Sequence, residues 1–481
     1  MPPRPGESRQ DWVYRQMAGA IATGLLGPGQ PVPSTRTLAT RWAVSRGVVE
    51  LAFERLAQEG YLQATVGRGT RVSDPLPEHF LRAAPATTPA CASVATAEPA
   101  VPAVRAGQPF VARLPDTMAL DLKAWRTSVA RAAQALEPGL LHASDPRGLP
   151  ALREAICRHL ALARGVVCTP GDILIVTGIR HAIDLCAQFL AREARPARVA
   201  IEDPGYRGAA ELFALRGCAT VAVAVDGEGM KVQDLKHSGA GAAYLTPAHQ
   251  APTGVALSPR RRTELLQWAQ EHDATLIEDD YDSDFSYETA PLPALKSQDT
   301  TGRVLLCGSF NKSLFPALRI GYIVAPPRHL SALICLRAAT GRANAVLDQL
   351  ALADFMASGA FTRHLQRTRL RHQRRRDLVL AELRTAGLPA ELGQGLHAGF
   401  HFVLRLPPGV SEAAVIASAA QRGLALQGLA SFWQGSSPSP PPALVLGYTA
   451  LTDAQARWSA RQLATVIRQL QQAGPAALAP P

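Results

Sequence analysis

The segment GSFNKSLFPALRIGY, residues 308–322, decides the reading of this chain. It follows a short apolar run, RVLLC (303–307), and leads into another, IGYIVA (320–325). A lysine at a strand end, set among small and polar residues, can form a Schiff base with an aldehyde cofactor. That lysine is Lys312. Ser309 stands three residues before it and Arg319 seven after it. A hydroxyl and a guanidinium so placed suit a phosphate. A single lysine is ordinarily a surface charge, so the reading depends on partners elsewhere in the chain.

Working outward, TLIEDDYDSDF (275–285) sets a carboxylate at the end of another strand. A buried carboxylate facing a pyridine nitrogen keeps it protonated and turns the ring into an electron sink. Asp279 is the residue assigned, with Asp280 beside it as the alternative. Tyr281 is placed to donate to a phenolic oxygen. The competing reading is an acidic surface loop or a metal site, but no histidine lies nearby in sequence and no metal ligand is assigned. IEDPGYRGA (201–209) supplies Tyr206, whose ring can stack on a pyridine. VTGIRHAID (176–184) offers Gly178, Ile179 and Arg180 at a helix start, where backbone N–H groups suit phosphate. LTPAHQAPTG (245–254) lines the same side. The cofactor with this set of features is pyridoxal 5'-phosphate.

The surrounding pattern is α/β. Seven β-branched or apolar runs, ILIV (173–176), RVAIE (198–202), TVAVAV (220–225), AAYL (242–245), TLIE (275–278), RVLLC and IGYIVA, alternate with amphipathic stretches. That alternation predicts a seven-stranded, mostly parallel, fully buried sheet. After about residue 327 the pattern turns helical, with late strands in HFVLRL and ALVLGY, which predicts a small C-terminal α+β lobe. Upstream, seven prolines fall between Pro75 and Pro109 among Ala, Thr, Val and Ser. Such a segment cannot bury enough surface to fold alone and reads as a linker, spanning on the order of 100 Å if fully stretched. The expected divisions are residues 8–73, a linker over 74–109, and 110–472.

The front segment carries a second constellation, PVPSTRTLATRWAVSRGVVELAFERLAQEGYLQATVGRGTRV (31–72). Ser34 is placed to cap one helix and Ser45 the next, with a turn at Ala43 and Val44 between them. Val48, Val49, Ala52, Phe53 and Leu56 form the inner face of the second. Two strands then flank Gly67, Arg68 and Gly69. This is the layout of a winged helix-turn-helix, whose second helix would enter the major groove of a double-stranded operator through Ser45, Arg46 and Gly47. Arg46 can offer its fork to a guanine edge, Arg36 can hold phosphate or a base, and Arg68 at the wing tip can enter a minor groove. The alternative is a structural module with arginines on a solvated face. Residues 1–80 hold nine Arg and seven Asp or Glu, so charge does not separate the two.

Bulk composition sets bounds on both readings. The chain has 481 residues, 47% hydrophobic and 19% charged, enough for two or three domains with sizeable cores. Its formal net charge is +11, carried almost wholly by arginine, since only five lysines occur. That favours polyanions without requiring them. Seven scattered cysteines without a C-x-x-C pair argue against a disulfide framework and fit a reducing cytoplasm. No apolar run reaches membrane-spanning length, so no membrane partner is expected. The basic run RHLQRTRLRHQRRRD (363–377) reads as the solvated face of a long helix rather than an auxiliary DNA surface.

The front motifs P-S-x-R-x-L-A, V-S-R-x-x-V, L-x-x-E-G-Y-L and G-x-G-T-x-V resemble the GntR family of bacterial regulators. D-P-R-G-L-P-A-L-R-E-A-I (145–156), E-D-P-G-Y, T-P-x-H-Q-x-P-T-G, E-D-D-Y-D-S and G-S-F-x-K-S-L-F-P-A-L-R-x-G-Y resemble fold-type I aminotransferases. In combination the chain resembles the MocR/GabR family of transcription regulators from about residue 8 to 470, excluding the linker. The resemblance implies a pyridoxal phosphate-dependent regulator, acting as a head-to-tail homodimer, that senses a small amine, an amino acid or the cofactor itself. The alternative is an active aminotransferase with an appended DNA-binding domain; a cofactor-free dimerisation scaffold is a third. Four places depart from the pattern. Asn311 precedes the lysine where Ser is usual, and Arg180 and His181 stand where Gln is frequent. Ala251 replaces the asparagine that enzymes carry before P-T-G. Ala443 occupies the place of an arginine that grips a substrate carboxylate. An effector carboxylate would then fall to Arg207 or Arg319. No catalytic residue is assigned, and at most weak transaminase activity is expected.

Overall fold

The computed structural model describes residues 4, 6–65, 69–76, 108–142, 145–193, 197–287, 292–341, 344–389, 392–435 and 439–473. Arg68 and most of the linker, 77–107, lie outside the described residues. The chain divides into two compact units, Met1–Val101 and Pro102–Pro481.

The first unit holds helices α1 (Arg9–Ala22), α2 (Thr35–Trp42) and α3 (Arg46–Gln58), then strands β1 (Leu62–Thr65) and β2 (Gly69–Val72) paired antiparallel. Each helix starts on a serine. Ser8, Ser34 and Ser45 accept from the backbone N–H of Asp11, Thr37 and Val48, satisfying donors that a helix start leaves open. The tight turn after α2 is made by Ala43 in the left-handed region at φ 51°. Val13, Met17 and Ile21 of α1 pack with Leu38 of α2 and Val49, Phe53 and Leu56 of α3 in one core, closed by Leu62 and Val72 of the hairpin. Trp12 and Trp42 meet edge to face at 5.8 Å. The unit is a winged helix-turn-helix.

The second unit is built on a sheet of β3 (Ile173–Val176), β4 (Arg198–Asp203), β5 (Ala219–Asp226), β6 (Gly229–Met230), β7 (Ala242–Leu245), β8 (Thr275–Asp280), β9 (Val304–Ser309) and β10 (Gly321–Val324). Their order is β3-β10-β9-β8-β7-β4-β5-β6. The seven expected strands are all present, and two-residue β6 extends the sheet as a hairpin on β5. Strands β9, β8, β7, β4 and β5 run parallel, and β10 opposes both neighbours. The helices are α4 (Leu122–Gln134), α5 (Pro150–Arg164), α6 (Ile179–Glu193), α7 (Arg207–Leu215), α8 (Val232–Lys236), α9 (Pro259–Glu271), α10 (Phe310–Ser313), α11 (Pro327–Ala339), α12 (Val346–Ala357), α13 (Ala360–Thr385), α14 (Glu412–Ala420) and α15 (Asp453–Ala473). One sheet face packs Leu174, Val176 and Ile323 against Phe189 of α6, Phe213 of α7 and Leu333 of α11. The other packs Ile173, Ile175 and Val324 against Ile156 of α5 and Leu352 and Phe355 of α12. Cover on both faces is why most of these strands read as continuous apolar runs. Strand β5, near the sheet edge, is only half-buried, so the sheet is not fully buried as expected.

The C-terminal lobe is a four-stranded sheet, β11 (Gly393–Gln394), β12 (His401–Arg405), β13 (Gln427–Gly428) and β14 (Ala443–Gly447), in the order β11-β12-β14-β13. Phe402, Leu404, Leu444 and Leu446 pack on Val379 and Leu383 of α13, Val415 of α14 and Leu463 and Ile467 of α15. Helix α13 thus serves both parts, because Phe361 and Leu365 at its start belong to the large-sheet core. Its basic run is not a simple solvated face. Arg375 and Arg376 are buried, and Asp116 takes Arg375 at 2.6 Å and Arg371 at 3.0 Å. Arg367 pairs with Asp121 and Arg369 donates to the carbonyl of Asp284. These arginines clamp segments distant in sequence onto the helix, which spacing alone does not reveal. Among the described residues no helix is long and apolar enough to cross a membrane.

Candidate functional site

Strands β3, β4, β8 and β9 all run one way, so the loops leaving their C-terminal ends converge at one edge, the usual place for a ligand in an open α/β sheet. A pocket of about 380 Å³ opens there. Lys312, Asp279, Tyr281, Tyr206, Ser309, Arg319, Ile179 and Arg180 all line it. Gly178 stands behind them: its φ is +101°, and a Cβ there would lie 2.8 Å from Nδ2 of Asn311. Glycine at this point lets the start of α6 close against the lysine-bearing turn.

Strand alternation separates the two neighbouring acids. Asp280 turns away from the pocket and holds buried Arg164 in a two-point pair, at 3.0 and 3.2 Å. Asp279 faces the pocket. Its Oδ2 accepts from the Tyr244 hydroxyl, while its Oδ1 is buried with no partner. Burial pushes the Asp279 carboxyl up to about 7. The acidic run is therefore not a surface loop. Asp282 pairs with His249 at 2.8 Å and Asp284 with His159 at 3.1 Å. Among the described residues no three His, Cys, Asp or Glu side chains are grouped to hold a metal.

Lys312 sits on α10, immediately beyond β9, with Ser309 capping the turn by accepting from the Asn311 N–H at 3.2 Å. Its ammonium donates to the carbonyl of Arg113. Burial, and then the charge of Arg113, lower Lys312 to about 8, so a neutral, nucleophilic amine is accessible near physiological pH. Tyr281 places its hydroxyl 3.1 Å from Nδ1 of His249. Burial opposes the charged form of His249, but Asp282 outweighs it and raises the imidazole pKa. Tyr206 is the residue just before α7, and Arg180 reaches its hydroxyl at 3.5 Å. Arg319 is exposed, in the left-handed region at φ 53°, with its carbonyl held by Asn344 at 3.0 Å.

These residues fit pyridoxal phosphate. The open Oδ1 of Asp279 awaits a donor such as a pyridinium N–H, Lys312 offers an amine, and Ser309, Arg319 and the α6 start offer phosphate ligands. When bound, such a group supplies an aldehyde carbon and an electron-withdrawing ring.

The expected effector arginines separate. Arg319 lines the pocket, whereas Arg207 is outside its lining, exposed, and bonds the carbonyl of Ser431 at 3.4 Å. Ala443 does not line the pocket either. It is fully buried in β14 against Val403, Leu429 and Phe432. Ala251 does line it, with no polar group to offer. Sequence reasoning passed over Tyr244, although a tyrosine inside the buried run AAYL is a signal for a hydrogen-bonded partner. It also left His249 without a role, and it missed Arg113, which no motif announces.

In the first unit, Ser45 caps α3, Arg46 is its first residue, and Arg36 is exposed near the start of α2. Gly47 faces open space, with nothing within 4 Å of a Cβ built on it. The Arg46 side chain is 66% exposed and rests on Glu50 at 2.7 Å. The helix start is thus free to meet a groove.

Residues 115–432 match the aminotransferase class I and II family, and residues 9–72 match the GntR family of bacterial regulatory proteins. The chain belongs to the aminotransferase-like transcription regulators of the MocR type, DNA-binding proteins with a GntR helix-turn-helix in front of an aminotransferase fold. Among its relatives is the HTH-type pyridoxine biosynthesis transcriptional regulator PdxR of Corynebacterium glutamicum, 33% identical over 95% of both chains. The probable rhizopine catabolism regulatory protein MocR of Rhizobium meliloti is 32% identical over 77% of this chain and 76% of its own. Among solved structures, the α-aminoadipate aminotransferase LysN of Thermus thermophilus is 25% identical with a TM-score of 0.67, covering 76% of this chain and 92% of that one.

Proposed function

We propose that this regulator binds pyridoxal phosphate in the pocket at Lys312 and changes its hold on a double-stranded operator when the pocket's occupant changes. The observation that carries the reading is the pairing of a half-buried lysine with an open carboxylate oxygen, Oδ1 of Asp279, across one pocket. Lys312 holds the aldehyde end, Asp279 the ring nitrogen, Tyr281 the phenolic oxygen, and Tyr206 stacks on the ring. Ser309, Arg319, Ile179, Arg180 and the Gly178 turn hold the phosphate. A small amine or amino acid competes with Lys312 for the cofactor, or the cofactor is itself the signal. The name of the PdxR relative favours the second form and that of the MocR relative the first. Ser45, Arg46 and Gly47 read the major groove, Arg36 holds a phosphate or a base, and Arg68 enters a minor groove.

The protein works in the cytoplasm as a homodimer, head to tail. Its working divisions are 8–73, a linker over 74–109, and 110–472. Coupling needs an occupant with different affinity for two arrangements of the dimer. The test is spectroscopic: pyridoxal phosphate added to the full chain gives a visible band of lysine-bound cofactor that Lys312→Ala abolishes. A band unchanged in that variant contradicts the assignment. The completeness of Lys312, Asp279 and Tyr281 favours a second reading, a working aminotransferase. Multiple turnovers between an amino donor and a keto acceptor would establish it.

A further inference from the structure

We propose that Arg113 is the residue that grips the anionic end of the effector, so that the ligand is a small amine carrying a carboxylate. The inference rests on the cofactor reading above and specifies the ligand of the same pocket.

The two arginines considered first do not meet this need. Arg207 lies outside the pocket lining, and Arg319 stands with Ser309 on the turn assigned to phosphate. Neither Ala443 nor Ala251 can bind an anion. Arg113, by contrast, lines the pocket and has its guanidinium between two rings, 5.3 Å from the centre of Tyr206 and 5.4 Å from that of Phe432. Stacking orients a guanidinium but leaves its in-plane N–H donors available. Among the described residues no carboxylate forms an ion pair with it, whereas the half-buried Arg147, Arg216 and Arg303 of the same unit are paired with Asp145, Asp184 and Asp273. The nearby cation is Lys312, whose ammonium touches the carbonyl of Arg113 itself. The pocket therefore presents a reactive amine next to an unpaired fork of donors, the arrangement that a carboxylate completes with two parallel hydrogen bonds.

The backbone holds Arg113 in that place. It sits at φ +62°, a region that residues with a side chain seldom occupy. The flanking chain is tied down on both sides. Pro109 accepts from the Ala425 N–H at 3.0 Å, Phe110 from the Gly447 N–H at 3.1 Å, and Leu114 from the Thr449 hydroxyl. Gly447 is needed for this approach, since a Cβ there would lie 2.0 Å from the carbonyl oxygen of Val111. Strain retained at a pocket wall by such pins is consistent with a positioning role for the side chain it carries.

The test uses the full-length protein loaded with pyridoxal phosphate, in wild-type, Arg113→Gly and Arg113→Lys forms. Glycine suits the positive φ and keeps the carbonyl that meets Lys312 while removing the whole side chain; lysine keeps a stem and a charge without the planar fork. Each form is titrated with glycine and β-alanine, and with ethylamine and propylamine as carboxylate-free counterparts, following the change in the cofactor band. The expected result is a wild-type half-point about tenfold or more lower for the carboxylated amines. Arg113→Gly should erase the ratio between the two classes, any shift that the altered Lys312 brings being common to both, and Arg113→Lys should restore part of it. A preference equal in wild type and Arg113→Gly overturns the assignment of Arg113. A wild-type protein that responds equally to both classes overturns the carboxylate. No cofactor band in the wild type would instead defeat the parent reading, and this one with it.

Discussion

The DNA reader and the pocket are assembled in opposite ways. The reader is continuous: caps, turn, recognition helix and hairpin all fall within residues 8–73, and even its long contacts, such as Arg55 with Asp11 across 44 positions, stay inside that stretch. The pocket draws on six separate stretches, around Arg113, Ile179, Tyr206, Ala251, Asp279 and Lys312. A local unit is specified by propensities and caps that act within a turn or two. A pocket made of strand ends is specified by topology, because parallel strands must bring their C-terminal ends to one edge before any of its residues meet. The first should fail by losing its core or a cap, the second by losing a single charge partner.

The largest separation comes from Leu56→Ala, which deletes a fully buried contact between α3 and α1. It should destabilise the DNA-binding unit by about 2–5 kcal/mol and abolish operator footprinting while the cofactor band of Lys312 persists. Loss of the band would show that the two regions do not fail separately. Next, Asp279→Asn should weaken cofactor binding by about 2 kcal/mol, roughly thirtyfold in Kd, read by titration of the same band. An unchanged Kd would mean that the open Oδ1 meets no ring nitrogen.

A pH series sharpens the pocket side. On the proposed reading Lys312 would meet the aldehyde as the neutral amine, and its pKa is lowered to about 8. The capture rate should therefore climb about tenfold per pH unit below that value and level off above it. Removing the charge of Arg113 should raise the Lys312 pKa and move the whole curve to higher pH. A flat profile between pH 6 and 9 would contradict the lowered value. On the reader side, Arg46→Ala should weaken specific binding by about 1–3 kcal/mol and relax the choice of base it meets. Smallest is Ser45→Ala, which removes the α3 cap and should cost about 1 kcal/mol of stability, read as a shift in Tm.

How much could be read in advance follows the same division. Ser34, Ser45 and the Ala43 turn were legible because a cap and a turn announce themselves within four residues. Most strands were legible because burial on both faces keeps polar residues to the ends of the run. Asp279 could be picked over Asp280 only provisionally from sequence, since both end the same strand; the Arg164 partner that takes Asp280 lies 116 residues away. The arginine run of α13 read as solvated because its acidic partners, Asp116, Asp121 and Asp453, lie in other segments. Arg113 was illegible for a related reason. It follows a composition that reads as linker, and its role comes from the rings, the lysine and the pins that the fold brings around it.

The central claim is that what fills the pocket governs what the recognition helix holds. The most direct measurement is operator affinity of the wild-type and Lys312→Ala proteins, each with and without pyridoxal phosphate at one fixed salt concentration. The account predicts that the cofactor changes wild-type affinity by at least about fivefold, in one direction or the other, and leaves Lys312→Ala unaffected. Identical binding curves for the wild type with and without cofactor and amine would contradict it.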